Sequence, residues 1–272
     1  MHMKWILLTA AVLLSFGAQA APRAELWERW QAQDAKSKTG VDHREWDALL
    51  LTYLKVAEAG VSRFAYGKVS AADKTRLAHY LEQLQGTPVS KLARAEQRAY
   101  WINLYNAATV QTLLDHYPVD SILKINISPG FFAKGPWGKK QLKVEGEDLS
   151  LDDIEHRILR PLWKDPRTHY AVNCASMGCP NLAPRAYTAA NLEEQLDAGA
   201  RAYVNHARGA RVENGKLHVS SIYLWFQDDF GGNAAGVIAH LRQYAVSPLS
   251  GPLAGISRIS GDSYDWSLND AP

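Results

Sequence analysis

Both cysteines of the chain, Cys174 and Cys179, fall in one stretch, Arg167-Thr-His-Tyr-Ala-Val-Asn-Cys-Ala-Ser-Met-Gly-Cys-Pro180. A thiol acts as a nucleophile when something such as a nearby protonated His or a helix N-terminus pulls its pKa below about 8.5. Ala175, Ser176 and Gly178 are small, which predicts a loop whose backbone amides approach a bound oxyanion, as acyl transfer requires. The same residues carry three other readings. A cysteine at a strand end can be a small buried hydrophobe. Cys174 and Cys179, five apart, can close a local disulfide if the compartment is oxidising. With two histidines they can also bind zinc, because a four-residue gap fits structural sites.

A nucleophilic Cys174 calls for a base, sought among His156, His169, His206, His218 and His240. If residues 169–173 form a strand, His169 and Cys174 point to opposite faces, since five is odd. His156 precedes that strand and avoids the conflict. His218 follows the nucleophile in the chain order of papain-like enzymes. Each ring can equally be a hydrogen-bonded structural residue. Asn103 and Asn106, three apart on an apolar helix, must find partners when buried, and so either pin a loop or orient a ring. Arg160 and Arg167 present forks that suit a substrate carboxylate, or else a surface salt bridge.

These groups need elements to hold them. Helical periodicity marks 23–36, 44–58 and 71–85, the last between Ser70 as N-cap and Gly86. The longest helix is expected over 94–115, ended by Tyr117-Pro118. A hairpin is predicted around Glu145-Gly146-Glu147, then a helix capped by Ser150 with Asp153 and stopped by Pro161. Residues 169–173 read as a short strand, 174–184 as a loop and 189–206 as a helix. Asn214-Gly215 is a strong turn signal between strands 210–213 and 216–220, with the second continuing through 222–226. Asn233 caps a final helix. Helices first, then strands mixed with helices, predict an α+β fold with the helical N-terminal part on a small, mainly antiparallel sheet.

Residues 1–20 read as a secretory signal: Lys4, an apolar run from Trp5 to Phe16, then Ala18-Gln19-Ala20. That run is shorter than the roughly 20 residues a membrane span requires. The expectation is a single α+β domain over 21–272 with no membrane span, in the periplasm or secreted. The apolar fraction of 47% is ordinary for a globular protein, and a formal charge of +2 gives no case for nucleic acid.

Three motifs together resemble the family catalogued as domain of unknown function 547: Tyr-Trp-Ile-Asn-Leu-Tyr-Asn-Ala from Tyr100, Ile-Glu-His-x-Ile-Leu-Arg from Ile154, and the cysteine stretch. The similarity runs over about 94–231 and continues through Ser220 to Phe230. It matches at Asn103, Asn106, His156, Arg160, Arg167, His169, Asn173, Cys174 and Cys179. His206, His218 and His240 lie outside the pattern. The resemblance implies a layout similar to papain-like thiol enzymes and strengthens the site more than any particular reaction.

The combined expectation is a periplasmic thiol-dependent hydrolase or acyltransferase acting on an amide or thioester. Cys174 is the nucleophile, His156 the first choice of base and His169 the second. Asn103 or Asn173 orients the ring or donates to the oxyanion, and Arg160, Arg167 and Asn106 contact substrate. No cofactor or metal is called for, and the expected partner is an unidentified small molecule or peptide. The alternative is a non-catalytic binding module with a Cys174–Cys179 disulfide, whose exposed aromatics meet a peptide or glycan. A zinc-stabilised domain is the third reading.

Overall fold

Helical periodicity becomes helix where an apolar stripe has a core to face. The computed structural model describes residues 22–57, 60–130 and 133–271, so the expected signal segment lies outside the described residues. Helix α1 (Arg44–Tyr53) buries Trp46, Leu49, Leu50 and Tyr53. It ends earlier than its pattern predicts because Leu54–Val56 leave it as β1, pairing antiparallel with β2 (Ser62–Phe64). Helix α2 (Ala71–Gln85) begins where the Ser70 side chain accepts from the Asp73 amide, and Gly86 ends it. Helix α3 (Arg94–His116) is buried nearly all round, the mark of a central helix.

Residues 23–36 do not form the expected helix. A single 3-10 turn, Glu28–Gln31, follows an extended segment whose Glu25 and Trp27 amides donate to the carbonyls of His156 and Arg157, each at 3.0 Å. Those carbonyls are free because of Pro161. Strands β3 (Leu142–Val144) and β4 (Glu147–Leu149) form the predicted hairpin, with positive φ at Glu145 and Gly146. Ser150 and Asp153 then cap each other, side chain to amide in both directions. The following helix runs through Pro161 instead of stopping there. Proline offers no N–H to the Arg157 carbonyl and crowds it. The helix widens into π turns over Asp153–Leu159, with Arg160 N–H bonded to the Glu155 carbonyl, and continues as α4 (Arg160–Trp163).

The expected strand at 169–173 is a helical turn, α5 (Thr168–Ala171). Asp165-Pro166 starts it: the Asp165 side chain accepts from the Arg167 amide at 2.9 Å, and its carbonyl accepts from Thr168 at 3.0 Å. Helix α6 (Leu192–Val204) leads to the hairpin of β5 (Ala210–Glu213) and β6 (Lys216–Ser220), turned at Asn214-Gly215 as expected. The strand does not continue through 222–226. Ser220 Oγ accepts the Ile222 amide at 3.3 Å and the chain coils into α7 (Ile222–Trp225). Asn233 caps α8 (Ala234–Tyr244), and α9 (Ser250–Ala254) precedes β7 (Ile259–Ser263).

The class is α+β. In place of one sheet there are three small ones among the described residues, β1-β2, β3-β4 and β5-β6-β7, and β7 runs parallel to β6. Buried apolar residues form two clusters. One surrounds α3 and includes Ala171 and Ala175; the other gathers α6, α8 and β6 and includes Tyr170. Helix α5 therefore spans the seam between two cores, and the cysteine loop leaves from that seam. No helix of the described residues is long and apolar enough to cross a membrane.

Candidate thiol site

The cysteine loop is fixed by side-chain amides. Asn106 on α3 accepts from the Asn173 amide at 2.8 Å and donates to the Ala171 carbonyl at 2.9 Å. Asn173 accepts from the Ala175 amide at 2.8 Å and donates to the Pro180 carbonyl at 2.7 Å. Asn103 makes the same two-way staple to Tyr187, at 2.7 and 3.0 Å. Both ends of all three amides are thus spent on backbone. They position the loop, in place of the expected contacts to a ring, an oxyanion or substrate. Stapling holds Ala175, fully buried, at φ +59°, a left-handed conformation that costs a non-glycine residue about 1–3 kcal/mol.

Cys174 is half-buried and Cys179 buried, and both thiols are free. Cys174 Sγ lies 3.0 Å from Cys179 Sγ, 3.0 Å from the Tyr264 hydroxyl and 3.2 Å from Ser176 Oγ. Ser176 and Tyr264 are themselves 2.8 Å apart, and the Cys174 amide donates to Cys179 Sγ at 2.9 Å. The Cys179 thiol, with the Ser176 and Tyr264 hydroxyls and the Ser176 amide behind it, outweighs burial and draws the Cys174 thiol down to about 7. Burial, and then the neighbouring Cys174, push Cys179 the other way.

Of the amides expected to cradle an oxyanion, that of Ser176 faces the Cys174 sulfur, whereas that of Gly178 is spent on the chain itself. Met177 and Gly178 donate to the carbonyls of Ser267 and Asp265, both at 2.8 Å, and Cys179 donates to Ser176 at 3.1 Å. The C-terminal segment occupies the Met177 and Gly178 amides. Gly178 is required there, because a Cβ on it would sit 2.8 Å from the Asp265 nitrogen.

His156 and His169 are turned to other partners. His169 Nε2 meets Asp229 at 2.7 Å, and its Nδ1 faces Glu155 at 3.8 Å. His156 Nδ1 accepts from Arg160 at 3.0 Å, and its Nε2 faces Asp152 at 3.6 Å. Burial lowers both rings, His156 to about 3, with Arg160 adding to the effect. Arg160 has no free fork: it binds Asp229 at 2.6 Å and the Pro22 carbonyl at 2.7 Å. Arg167 is claimed by Asp165, Asp197 and Glu193. Of the remaining histidines, His240 bonds the Tyr170 hydroxyl at 2.7 Å, His218 lies on β6, and His206 lines a cavity of about 200 Å³ with Arg208 and Tyr264. Among the described residues no group of three or more His, Cys, Asp or Glu side chains converges as a metal site.

The residues that do serve the thiol were not singled out by sequence. Ser176 is a small loop residue of the cysteine stretch, and Tyr264 lies 90 residues beyond Cys174. Glu155 is buried and pushed up to about 7 by that burial, against Arg160 and a hydrogen bond from Tyr105; Asp152 and Cys174 add to the rise. Its charge therefore reaches the thiol, and it stands beside His156 in a motif that pointed to it. Half-buried Trp225, Tyr264 and Trp266 pack together with ring centroids 4.6–5.6 Å apart, and Trp137 joins Trp266 at 6.0 Å. They form an aromatic wall on the Tyr264 side of Cys174.

Residues 89–204 match the model of a family described as protein of unknown function, DUF547. The match spans α3, the π-widened helix, the cysteine loop and α6, and it ends before Asp229, inside the expected reach of 94–231. No curated protein matches the chain, and no solved structure does. The matched stretch, residues 89–204, holds both cysteines and the three asparagines that fix their loop, and over it the chain is similar to the DUF547 family.

Proposed function

We propose that the chain is a thiol-dependent hydrolase or acyltransferase, working outside the cytoplasm on an amide or thioester, with Cys174 as its nucleophile. The observation that carries the reading is the convergence of three side-chain groups, Cys179, Ser176 and Tyr264, on one half-buried sulfur at 3.0–3.2 Å. Such donors favour the thiolate without a histidine. As Cys174 attacks a carbonyl, negative charge leaves the sulfur for the carbonyl oxygen. The Ser176 and Tyr264 hydroxyls, already aimed at the sulfur, turn to that oxygen, since hydroxyls serve as oxyanion donors as well as amides do. Glu155, poised near 7, supplies the proton to the leaving amine or thiol and then withdraws one from the incoming water or acceptor. The aromatic wall offers an apolar surface for the acyl chain or peptide. Location outside the cytoplasm rests on residues 1–20.

The sulfur–sulfur approach of 3.0 Å favours a second reading, a binding module closed by a Cys174–Cys179 bridge. Reduced protein alkylated across pH and read by mass spectrometry separates the two. The enzyme reading expects Cys174 alone to label, with an apparent pKa near 7. Two sluggish thiols, or a Cys174 value at the free-thiol level of about 8.5, overturn it.

A further inference from the structure

We propose that Cys174 and Cys179 form a reversible dithiol–disulfide couple that exchanges electrons with external disulfides; this rests on Cys174 being the nucleophile. The two sulfurs stand 3.0 Å apart, and a disulfide bond of about 2.05 Å requires only a further ångström of approach. Their exposure divides the labour. Cys174 is half-buried and can meet an incoming molecule, whereas Cys179 is 3% exposed and lies behind it. The loop between them cannot spring open. Asn173 ties its two ends together, and Met177, Gly178 and Ala175 are stitched to the 265–269 segment. The resolving sulfur is therefore held beside its target, which makes the second step effectively unimolecular. That step also has its charge provided for. The Cys174 amide donates to Cys179 Sγ at 2.9 Å, and Arg208, which donates to the Met177 carbonyl at 3.0 Å, lies close enough for its charge to be felt by Cys179.

The chemistry balances with a small disulfide, R–S–S–R, as oxidant. The Cys174 thiolate attacks one sulfur, forming Cys174–S–S–R and expelling R–S⁻. The Cys179 thiol gives its proton to the departing thiolate or to solvent, and its sulfur attacks that of Cys174. The second R–S⁻ leaves and the Cys174–Cys179 bond forms. Two electrons pass from the dithiol to the external disulfide, which departs as two thiols. Excess thiol runs the sequence backwards. In the oxidised form Cys174 has no thiolate to offer, so the couple also switches off acyl chemistry at the same sulfur.

Full-length protein freed of residues 1–20 is equilibrated anaerobically in buffers of graded reduced-to-oxidised glutathione ratio, quenched in acid, alkylated and weighed. The wild type should pass from two alkylatable thiols to none, without a retained glutathione, and return when the ratio is reversed. Cys179→Ser should instead accumulate one glutathione on Cys174, and Cys179→Ala should do the same if the serine variant folds poorly. Three outcomes overturn the couple: thiols that stay reduced at every ratio, a bridge that no ratio reopens, or a wild type that retains glutathione as the variants do. Should the couple fail while Cys174 of the reduced protein still labels alone near pH 7, the nucleophile stands. Sluggish labelling of Cys174 removes the nucleophile and the couple together.

Discussion

Two neighbouring regions bury polar groups in opposite ways. Around His169, Asp229 is held by the Arg160 guanidinium at 2.6 Å and by the His169 ring at 2.7 Å, while Phe226 lies over the His169 ring with centroids 4.3 Å apart and under the Arg160 guanidinium at 4.6 Å. Around Cys174, a sulfur with a lowered pKa is surrounded by neutral donors that can be re-aimed. Formal ion pairs hold a structure in place because breaking one strands a buried charge. Neutral hydroxyls beside a thiolate lose little when the charge moves, which suits a group that must react. On the proposed reading, the chemistry sits with the sulfur, Glu155 and Tyr264 and the histidine cluster serves as an anchor.

Arg160→Met is the harshest way to break the comparison. It leaves Asp229 and His156 without their guanidinium, and loss of one partner of a buried pair costs about 3–5 kcal/mol, read as a lower urea midpoint. The alkylation pKa of Cys174 in the folded variant should stay put. A stability loss below about 1 kcal/mol would show that the cluster is not an anchor.

Glu155→Gln tests whether the two regions share a proton. His156, depressed from 6.5 to about 3, contributes stability that is fully present above 6.5 and is lost as pH falls toward 3. Glu155, raised from 4.5 to about 7, works the other way: its contribution is present below 4.5 and is lost as pH rises toward 7. Between pH 4.5 and 6.5 the two offset each other. Removing Glu155 should therefore steepen the acid loss of stability in that window by one proton, about 1.4 kcal/mol per pH unit. Denaturant titrations at several pH values measure the slope, and an unchanged slope means Glu155 is already ionised in the folded protein.

Tyr264→Phe sharpens the thiol side alone. With one donor removed, the apparent pKa of Cys174 should rise by about half to one unit, the equivalent of about 1 kcal/mol. Unfolding should barely change. A pKa that does not move would leave Cys179 and Ser176 as the groups that hold the thiolate.

Much of this was legible in the chain. Ser70 with Asp73, the apolar surface of α3, and Asn214-Gly215 each announce their element locally, because cap and turn chemistry depends on neighbours in sequence. The cysteine pair and the asparagines that pin its loop were legible too. Helices α5 and α7, four residues each, are too short to show a 3.6-residue period, and both were read as strand. The partners of the histidines were hidden for a different reason. His169 is claimed by Asp229, 60 residues on, and Cys174 by Tyr264, 90 residues on; no spacing rule within the motif reports either. Glu155 stood in plain view, but only burial gives a carboxyl its proton at neutral pH.

Pro161 sets the order in which the molecule is assembled. It leaves two helix carbonyls open, and the residues that fill them come from the far end of the described chain. Arg160 reaches the Pro22 carbonyl across 138 residues of sequence. Contacts of such separation form late and slowly, because loop closure must come first. Helix α3 and the two tight hairpins can form from local bonds, whereas the helix that carries Glu155 and His156 is completed only when the N-terminal strap docks. Completion of the helix that carries Glu155 and His156 is thus a long-range event.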